Sequence, residues 1–290
     1  MICSLCPRKC NARRTETQNF GGFCKQPLAP KIARAALHFW EEPSISGERG
    51  SGTVFFSGCN LGCVYCQNAA ISHTGKGKTV TAARLAEIFA ELEEKGAENI
   101  NLVTPTHFVT AIKEALDIYR PNIPIVYNSG GYESVETLSG LEKYIDIYLM
   151  DFKYADNAKA LKYSKAADYV DVAGLALKEA YAQKPKCVFK NGIMQTGVIV
   201  RHLLLPAATN DAIKIFDFVR QNMSGAYFSL MGQYILVNEA CSDAVIGRKI
   251  TEREYNKVAD YILSSGYQNC YFQELSSAST DYVPDFDLIR

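Results

Sequence analysis

Residues 55–68 read FFSGCNLGCVYCQN and place Cys59, Cys63 and Cys66 in one short loop that contains glycine. The segment that leads into this loop, TVFF at 53–56, is β-branched and aromatic, which predicts a strand. Such a loop can wrap around an iron–sulfur cubane and supply three of its four iron ligands. Because the neighbouring sequence holds no fourth cysteine, one iron would stay open, as one position stays open in a catalytic zinc site. The alternative is a set of three buried or zinc-binding cysteines.

Six short apolar runs organise the rest of the chain. They are nearly continuous in apolar character, as parallel strands buried on both faces should be. The runs lie at 53–56, 99–104, 123–128, 145–152, 197–205 and 226–231. Between and after them, apolar residues recur at helical spacing at 85–92, 108–119, 169–183 and 213–219, and a T-x-x-E capping box at Thr251 precedes a last helix. The alternation predicts a parallel β/α architecture, either an open doubly wound sheet or a barrel or partial barrel, with the cysteine loop at its active-site edge.

Composition limits the classes of function. The chain has 290 residues, and 31 basic and 31 acidic side chains give a formal net charge of zero. This balance offers no basic field for nucleic acid or an acidic membrane surface. The opening MICSLCPRKC lacks the apolar core of a signal peptide, and no run approaches the roughly 18 apolar residues that span a bilayer. We therefore predict a cytoplasmic protein with no nucleic-acid or membrane partner, divided into a Cys-rich arm at 1–50 and an α/β domain at 51–290.

The arm carries a second group of cysteines. Cys3, Cys6, Cys10 and Cys24 supply four thiols, the number that tetrahedral zinc or a fully ligated [4Fe–4S] cluster requires. Nearby basic residues would offset the charge of four thiolates: Arg8, Lys9, Arg13 and Arg14. In a reducing compartment, clustered cysteines indicate metal ligands, and free thiols are the alternative. The remaining cysteines, at 187, 241 and 270, stand alone and are interpreted as ordinary buried residues.

With these motifs, the sequence resembles the radical S-adenosylmethionine (SAM) superfamily, whose signature is C-x3-C-x-aromatic-C with Tyr65 here at the aromatic position. It is most similar to the pyruvate formate-lyase activating enzyme-like group, in the branch with additional N-terminal cysteines. The resemblance covers most of the chain. It rests on CSLCPRKC (3–10), HFWEEPSISG (38–47), GSGTVFFSGC (50–59), NINLVTPTH (99–107), MDFK (150–153) and VRHLLLP (200–206).

The resemblance implies a partial (β/α)6 TIM-like barrel with a Cys-rich N-terminal extension. It implies a [4Fe–4S] cluster and SAM as cofactors, with a second iron–sulfur cluster or zinc on the arm. Reduction by a donor such as ferredoxin or flavodoxin would cleave SAM to a 5′-deoxyadenosyl radical. That radical would abstract hydrogen from a peptide or protein, as in a glycyl-radical activase. Radical modification of a small metabolite is an alternative, and a non-catalytic iron–sulfur electron carrier is an alternative of another class.

The resemblance also implies a set of SAM contacts. Tyr65 would pack near the adenine, and Asn128 matches a family position that hydrogen-bonds SAM. Asp151 and Lys153 match the family's D-x-K motif, in which lysine suits the SAM carboxylate and aspartate suits a cation or a ribose hydroxyl. A surface ion pair and a turn asparagine are the alternatives.

Three departures from the family pattern accompany these matches. TPTH (104–107) stands where relatives often have Gly-Gly-Glu, so backbone carbonyls or Thr104 would grip the SAM ammonium. FSLMG (228–232) lacks the histidine of close relatives, and Val126 and Tyr127 replace the activase's Asp-Thr.

Arg201 is a further candidate site residue. On the strand at 197–205, adjacent side chains point to opposite faces, so only one of Arg201 and His202 can face the interior. Arg201 is the predicted partner for a carboxylate of substrate or SAM, and a structural role is the alternative.

Overall fold

A computed structural model describes residues 2–273 together with Leu275, Pro284 and Phe286. Its strands are β1 (Arg13–Arg14), β2 (Asn19–Phe20), β3 (Lys31–His38), β4 (Ser51–Phe56), β5 (Lys78–Thr79), β6 (Ile100–Val103), β7 (Ile125–Ser129), β8 (Ile147–Asp151), β9 (Val188–Lys190), β10 (Ile193–Leu203), β11 (Tyr227–Met231) and β12 (Cys270–Phe272). Its α-helices are α1 (Pro43–Ser46), α2 (Ala69–Ser72), α3 (Ala82–Glu94), α4 (Val109–Ile118), α5 (Val135–Ser139), α6 (Asn157–Ser164), α7 (Tyr169–Gln183), α8 (Thr209–Asn222) and α9 (Glu252–Ser264). Short 3-10 helices lie at Thr106–Phe108 and Asn238–Ser242.

The six predicted strands form one parallel sheet whose spatial order follows the chain order. β4, β6, β7, β8, β10 and β11 are consecutive neighbours, and helices connect one to the next. A doubly wound sheet would reverse its strand order at a switch point, whereas sequential neighbours are typical of barrel winding. Across the described residues the sheet stays open, ending at β12 on one side and at β3 with β5 on the other. The α/β partial-barrel prediction is therefore confirmed.

The helical stripes predicted from the sequence appear as α3, α4, α7 and α8. Each packs its apolar side on the sheet, as Leu85, Phe89 and Leu92 of α3 do. At the start of α9, Thr251 Oγ1 accepts a hydrogen bond from the Glu254 N–H at 3.2 Å, and Glu254 Oε2 accepts one from the Thr251 N–H at 2.9 Å. This is the predicted capping box, which satisfies two backbone donors that the helix itself leaves unpaired.

Strand β3 was not predicted. Its sequence, KIARAALH, is rich in alanine, a residue depleted in strands, and pairing with β4 supplies the order that local propensity does not. β3 runs antiparallel to β4, so residues 31–38 join the main sheet. The division at residue 50 stays a prediction, and the end of the second predicted domain, at 290, lies outside the described residues.

The two faces of the sheet have different chemistry because successive side chains point to opposite faces. Leu102, Tyr127 and Met150 lie under the helices in the large apolar core. The concave face is apolar at the base, where Ile45 of α1 packs with a second apolar cluster of the sheet. Above this apolar cluster the same face is polar, and a polar cleft lies inside the partial barrel. Among the described residues, no helix is both long and apolar enough to cross a membrane.

Candidate active site

The three-cysteine loop leaves the carboxyl end of β4. Gly58, with φ of +79°, makes the first bend, and an added Cβ there would lie 2.8 Å from the carbonyl oxygen of Cys24. Only glycine allows this combination of backbone angle and close approach. The loop is thus held against the N-terminal segment that carries the other cysteine group.

A hydrogen-bond donor lies close to each of the three sulfurs. The Leu61 N–H donates to Cys59 Sγ at 3.3 Å, Ser164 Oγ lies 2.8 Å from Cys63 Sγ, and Ser72 Oγ lies 3.2 Å from Cys66 Sγ. Burial raises the pKa of the Cys59 thiol, and raises that of Cys63 to about 11, against the opposing charge of Lys153. Such thiols carry their protons until a metal replaces them, since metal binding requires the thiolate.

The donor set fits an iron–sulfur cluster. All ten cysteines are free thiols. Three sulfurs on one loop, each with a donor that would stabilise thiolate charge, suit a cluster that takes three ligands from the protein.

A cleft of about 1060 Å³, including its open mouth, lies beside this loop on the concave face. The sequence-predicted residues that line it are Cys63, Tyr65, Cys66, Asn128, Asp151, Lys153 and Arg201. Folding has thus brought residues that are as far apart in the sequence as 63 and 201 to one cleft.

Arg201 is the centre of a charged network in this cleft. Its guanidinium donates to Asp151 Oδ1 at 2.9 Å, to Glu41 Oε2 at 2.9 Å and to Asn128 Oδ1 at 2.6 Å. Lys153 Nζ donates to Asp151 Oδ2 at 2.5 Å. Burial alone would raise the pKa of Asp151, but the charges of Lys153 and Arg201 outweigh it and hold that pKa below its usual range. The network places four charged groups in contact in a site with little exposure to solvent.

Two predicted residues take other positions. Thr104 follows β6 with φ of +59° and donates its N–H to the Asn128 carbonyl at 2.8 Å, but it is not part of the described cleft lining. Cys59 is not part of the described lining and lies half-buried at the start of the loop.

Tyr65 lines the cleft, and its hydroxyl lies 2.6 Å from that of Tyr154. Of the adjacent pair on β10, His202 faces away from Arg201, and its Nδ1 lies 2.7 Å from the Phe152 carbonyl.

Glu41 and Glu42 are site residues that sequence reasoning missed. They follow β3 and precede α1, and both line the cleft. Glu41 accepts from the amides of Asn101 and Asn128, each at 3.1 Å, besides pairing with Arg201. The available signal was a pair of acidic residues between aromatic residues and a proline in HFWEEPSISG, a motif to which no role was given.

The four N-terminal cysteines line one small cavity. Arg14, fully buried, lies at its edge and places Nη1 3.4 Å from Cys3 Sγ, while Asn19 Nδ2 lies 3.8 Å from Cys24 Sγ. Burial raises the pKa of Cys6 to about 12 and raises that of Cys24, where Arg14 opposes the rise. A buried guanidinium beside four thiols offsets the charge that they would carry as thiolates.

The cavity adjoins the three-cysteine loop. Arg8 Nε donates to the Asn60 carbonyl at 2.8 Å, and Asn60 follows Cys59 in the sequence. Asn60 and His107 also line the cavity. The two cysteine groups are therefore neighbours in space. In the sequence, Cys24, the last of the N-terminal group, and Cys59, the first of the loop, are 35 residues apart.

Comparison with known proteins agrees with this geometry. Residues 53–213 match the Radical SAM superfamily. The uncharacterized protein MJ0674 of Methanocaldococcus jannaschii is 31% identical over 268 residues, which cover 89% of this chain and 73% of that protein.

Solved structures share the fold at low sequence identity. SuiB of Streptococcus suis is 14% identical with a TM-score of 0.55, covering 79% of this chain and 50% of SuiB. SuiB bound to S-adenosylmethionine gives a TM-score of 0.53 at 15% identity, over 77% of this chain and 50% of SuiB. The chain thus spans about half the length of these structures. The family match covers more than half of the chain, so this protein belongs to the radical SAM superfamily and is a radical SAM enzyme, with a [4Fe–4S] cluster and SAM as its cofactors.

Proposed function

We propose that Cys59, Cys63 and Cys66 hold the cluster and that SAM binds in the adjoining cleft. The observation that carries this assignment is the meeting of Cys63 and Cys66 with Asn128, Asp151 and Lys153 along one lining. A lysine ammonium, an aspartate carboxylate and a side-chain amide are the partners that the carboxylate, ribose and ammonium of SAM require.

The protein residues bind and orient the cofactors in this proposal. Lys153 exchanges part of its contact with Asp151 for the SAM carboxylate. Arg201 keeps Asp151 and Asn128 in place from the other side, because it bonds to both. Tyr65 offers its ring to the adenine. When bound, the cluster would supply the electron for the reductive cleavage of SAM, and the walls of the cleft would keep the reacting groups away from bulk water.

For the substrate we propose a peptide or protein from which hydrogen is abstracted, as in the pyruvate formate-lyase activating enzyme-like group. SuiB of Streptococcus suis is known bound to the precursor peptide SuiA, with a TM-score of 0.53 and 14% identity over 76% of this chain and 48% of SuiB. A reductant such as ferredoxin or flavodoxin would deliver the electron.

We further propose that Cys3, Cys6, Cys10 and Cys24 hold a second iron–sulfur cluster. Four thiols at one cavity and the buried Arg14 support a metal there. Four thiols are the number that a fully ligated [4Fe–4S] cluster requires. Contact between Arg8 and the loop backbone at Asn60 would couple this cluster mechanically to the catalytic one.

The decisive experiment measures SAM cleavage. Anaerobically reconstituted protein is mixed with SAM and dithionite, and 5′-deoxyadenosine is quantified. We expect product from the wild type and from Cys187→Ala, whose thiol lies outside both cysteine groups, and none from a variant with alanine at 59, 63 and 66. Retained cleavage in that triple variant would contradict the ligand assignment, and no cleavage by the wild type would contradict the proposed chemistry.

Metal analysis tests the N-terminal assignment. About eight irons per chain in the wild type, falling to about four in Cys3→Ala/Cys6→Ala, would support two [4Fe–4S] clusters. About four irons with one zinc would make the N-terminal site a structural zinc site instead.

A further inference from the structure

A line of hydroxyl groups connects the wall of the cleft with one sulfur of the three-cysteine loop. The hydroxyls of Tyr65 and Tyr154 lie 2.6 Å apart, and the Tyr154 hydroxyl lies 2.6 Å from Ser164 Oγ. Ser164 Oγ in turn lies 2.8 Å from Cys63 Sγ. We call Tyr65, Tyr154 and Ser164 the hydroxyl chain. All three are buried, as is Cys63, so these hydrogen bonds lie in a medium in which they are stronger than in water.

Backbone contacts hold Ser164 at this position. Helix α6 ends at Ser164, and the last carbonyl groups of a helix have no partner within it. The three-cysteine loop supplies partners for two of them. The Gly62 N–H donates to the Ser164 carbonyl at 3.3 Å, and the Val64 N–H donates to the carbonyl of residue 163 at 2.9 Å. Because these bonds fall on either side of Cys63, the end of α6 is fixed against that sulfur.

Iron ligation would fix the direction of every hydrogen bond in the hydroxyl chain. A cysteine binds metal as a thiolate, which accepts hydrogen bonds but cannot donate one. Ser164 must then donate its single proton to Cys63, and its oxygen accepts from Tyr154. By the same rule the Tyr154 oxygen accepts from Tyr65, since each hydroxyl has one proton to give. All three O–H groups therefore point toward the ligand, and bonds in such a series strengthen one another.

This direction determines how the chain acts on an added electron. One-electron reduction gives an iron–sulfur cluster one more negative charge, and hydrogen bonds to its sulfurs help to set its reduction potential. A donor to a ligating sulfur stabilises the more negative, reduced state. The bare thiol shows the same preference, because burial raises the pKa of Cys63 to about 11 and the bond from Ser164 is among the contacts that oppose this rise.

We propose that Ser164 and Tyr154 are positioning residues that raise the reduction potential of the catalytic cluster through the hydrogen bond to Cys63. This inference rests on the proposed function, since it requires Cys63 to ligate that cluster. The donor contacts at the other two sulfurs of the loop are longer, 3.3 and 3.2 Å, so Cys63 has the strongest of the three. A higher potential lets a reductant such as ferredoxin or flavodoxin reduce a larger fraction of the enzyme.

The test is a redox titration of anaerobic holoenzyme, followed by electron paramagnetic resonance in the absence of SAM. A parallel sample with SAM identifies the catalytic signal, because only a cluster with an open iron changes its signal when SAM binds. A signal from the N-terminal cysteine group should keep its potential in every variant, which makes it an internal reference. Iron content and circular dichroism show that each variant is folded and loaded.

Two variants shorten the chain from different points. Ser164→Ala removes the donor to Cys63. We expect the equilibrium constant for one-electron reduction to fall about tenfold, which is a shift of about 59 mV to more negative potential. Tyr154→Phe leaves the serine in place but removes the hydroxyl that polarises it. This smaller change should lower the constant about twofold, or about 18 mV in the same direction.

Tyr234→Phe is the matched control. The Tyr234 hydroxyl is also buried, but it donates to the Ile246 carbonyl at 2.7 Å and lies outside the hydroxyl chain. Its ring nevertheless packs against that of Tyr65, with ring centroids 6.1 Å apart. Loss of this hydroxyl therefore tests for a general effect of disturbing the same region, and the potential should stay at the wild-type value.

Three results would overturn the inference: an unchanged potential in Ser164→Ala, a shift to more positive potential, or an equal shift in Tyr234→Phe. If Ser164→Ala does not assemble a cluster, Tyr154→Phe alone decides, and a wild-type potential there refutes the chain. The wild-type titration separates this inference from the proposed function. Absence of any SAM-sensitive signal would overturn the cluster assignment itself, whereas a SAM-sensitive signal with the same potential in all variants overturns only the role of the hydroxyl chain.

Discussion

Replacing Arg201 by methionine tests whether the charged network stabilises the site. The change keeps much of the side-chain volume but removes three hydrogen bonds and the counter-charge of two carboxylates, Asp151 and Glu41. Breaking a buried ion pair by removing one partner costs about 3–5 kcal/mol. Asp151 keeps Lys153 and Glu41 keeps the amide of Asn128, so we expect a cost of about 3 kcal/mol, at the low end of that range.

The assay is the thermal unfolding midpoint of anaerobic holoenzyme followed by circular dichroism. At about 2–4 °C for each kcal/mol, the midpoint should fall by roughly 6–12 °C. Arg84→Met is the matched control, because Arg84 also contacts two carboxylates, Glu87 at 3.0 Å and Glu91 at 2.5 Å, but is 44% exposed. Exposed pairs contribute about 0–1 kcal/mol, so its midpoint should move little. Equal shifts in the two variants would refute the argument that burial gives the Arg201 network its strength.

Three further outcomes follow from particular residues. Lys153→Ala and Asp151→Asn should each weaken SAM binding by about 1.5–3 kcal/mol in equilibrium dialysis, as expected for a lost charged hydrogen bond, and unchanged affinity in both would leave the pair a purely structural role. Burial raises the pKa of Glu133 to about 7, so the folded state keeps a proton that the unfolded state releases near pH 4.5, and stability falls as the pH rises between these values. Chemical unfolding at pH 5 and pH 8 measures this loss of unfolding free energy. The loss should be roughly 2–3 kcal/mol smaller in Glu133→Gln than in the wild type, and equal losses in the two proteins would contradict the prediction. Leu102→Ala, at a fully buried position, should cost about 2–5 kcal/mol of unfolding free energy, and Leu161→Ala, at a position 54% exposed, far less.

The parallel strands were predictable because their burial shows in the local composition. A strand covered on both faces needs apolar side chains at nearly every position, so a run such as 145–152 can be recognised as a strand without knowing its neighbours in the sheet. The helices between them carry a 3.6-residue period for a similar reason, since one face of each packs on the sheet. Local pattern could not choose between a doubly wound sheet and a barrel, because that choice depends on which strands become neighbours.

The three-cysteine loop could also be predicted as a metal site from the sequence alone. Three cysteines within eight residues need no tertiary contact to lie near one another, so the spacing of Cys59, Cys63 and Cys66 by itself predicts a metal-binding loop. The four N-terminal cysteines are spread more widely, from Cys3 to Cys24, and only the fold brings them to one cavity beside that loop.

The rest of the site depended on contacts between distant parts of the chain. Arg201 bonds to Glu41 across 160 residues, and no local period or propensity marks either as a partner of the other. Strand β3 has weak strand propensity of its own and is ordered by β4, so the segment after it could not be placed from the sequence. That placement puts Glu41 and Glu42 at the wall of the cleft. The cysteine spacing predicted the chemistry that we propose for this protein, whereas only the tertiary structure decided which charged side chains meet in the cleft, because burial and pairing are properties of neighbours in space.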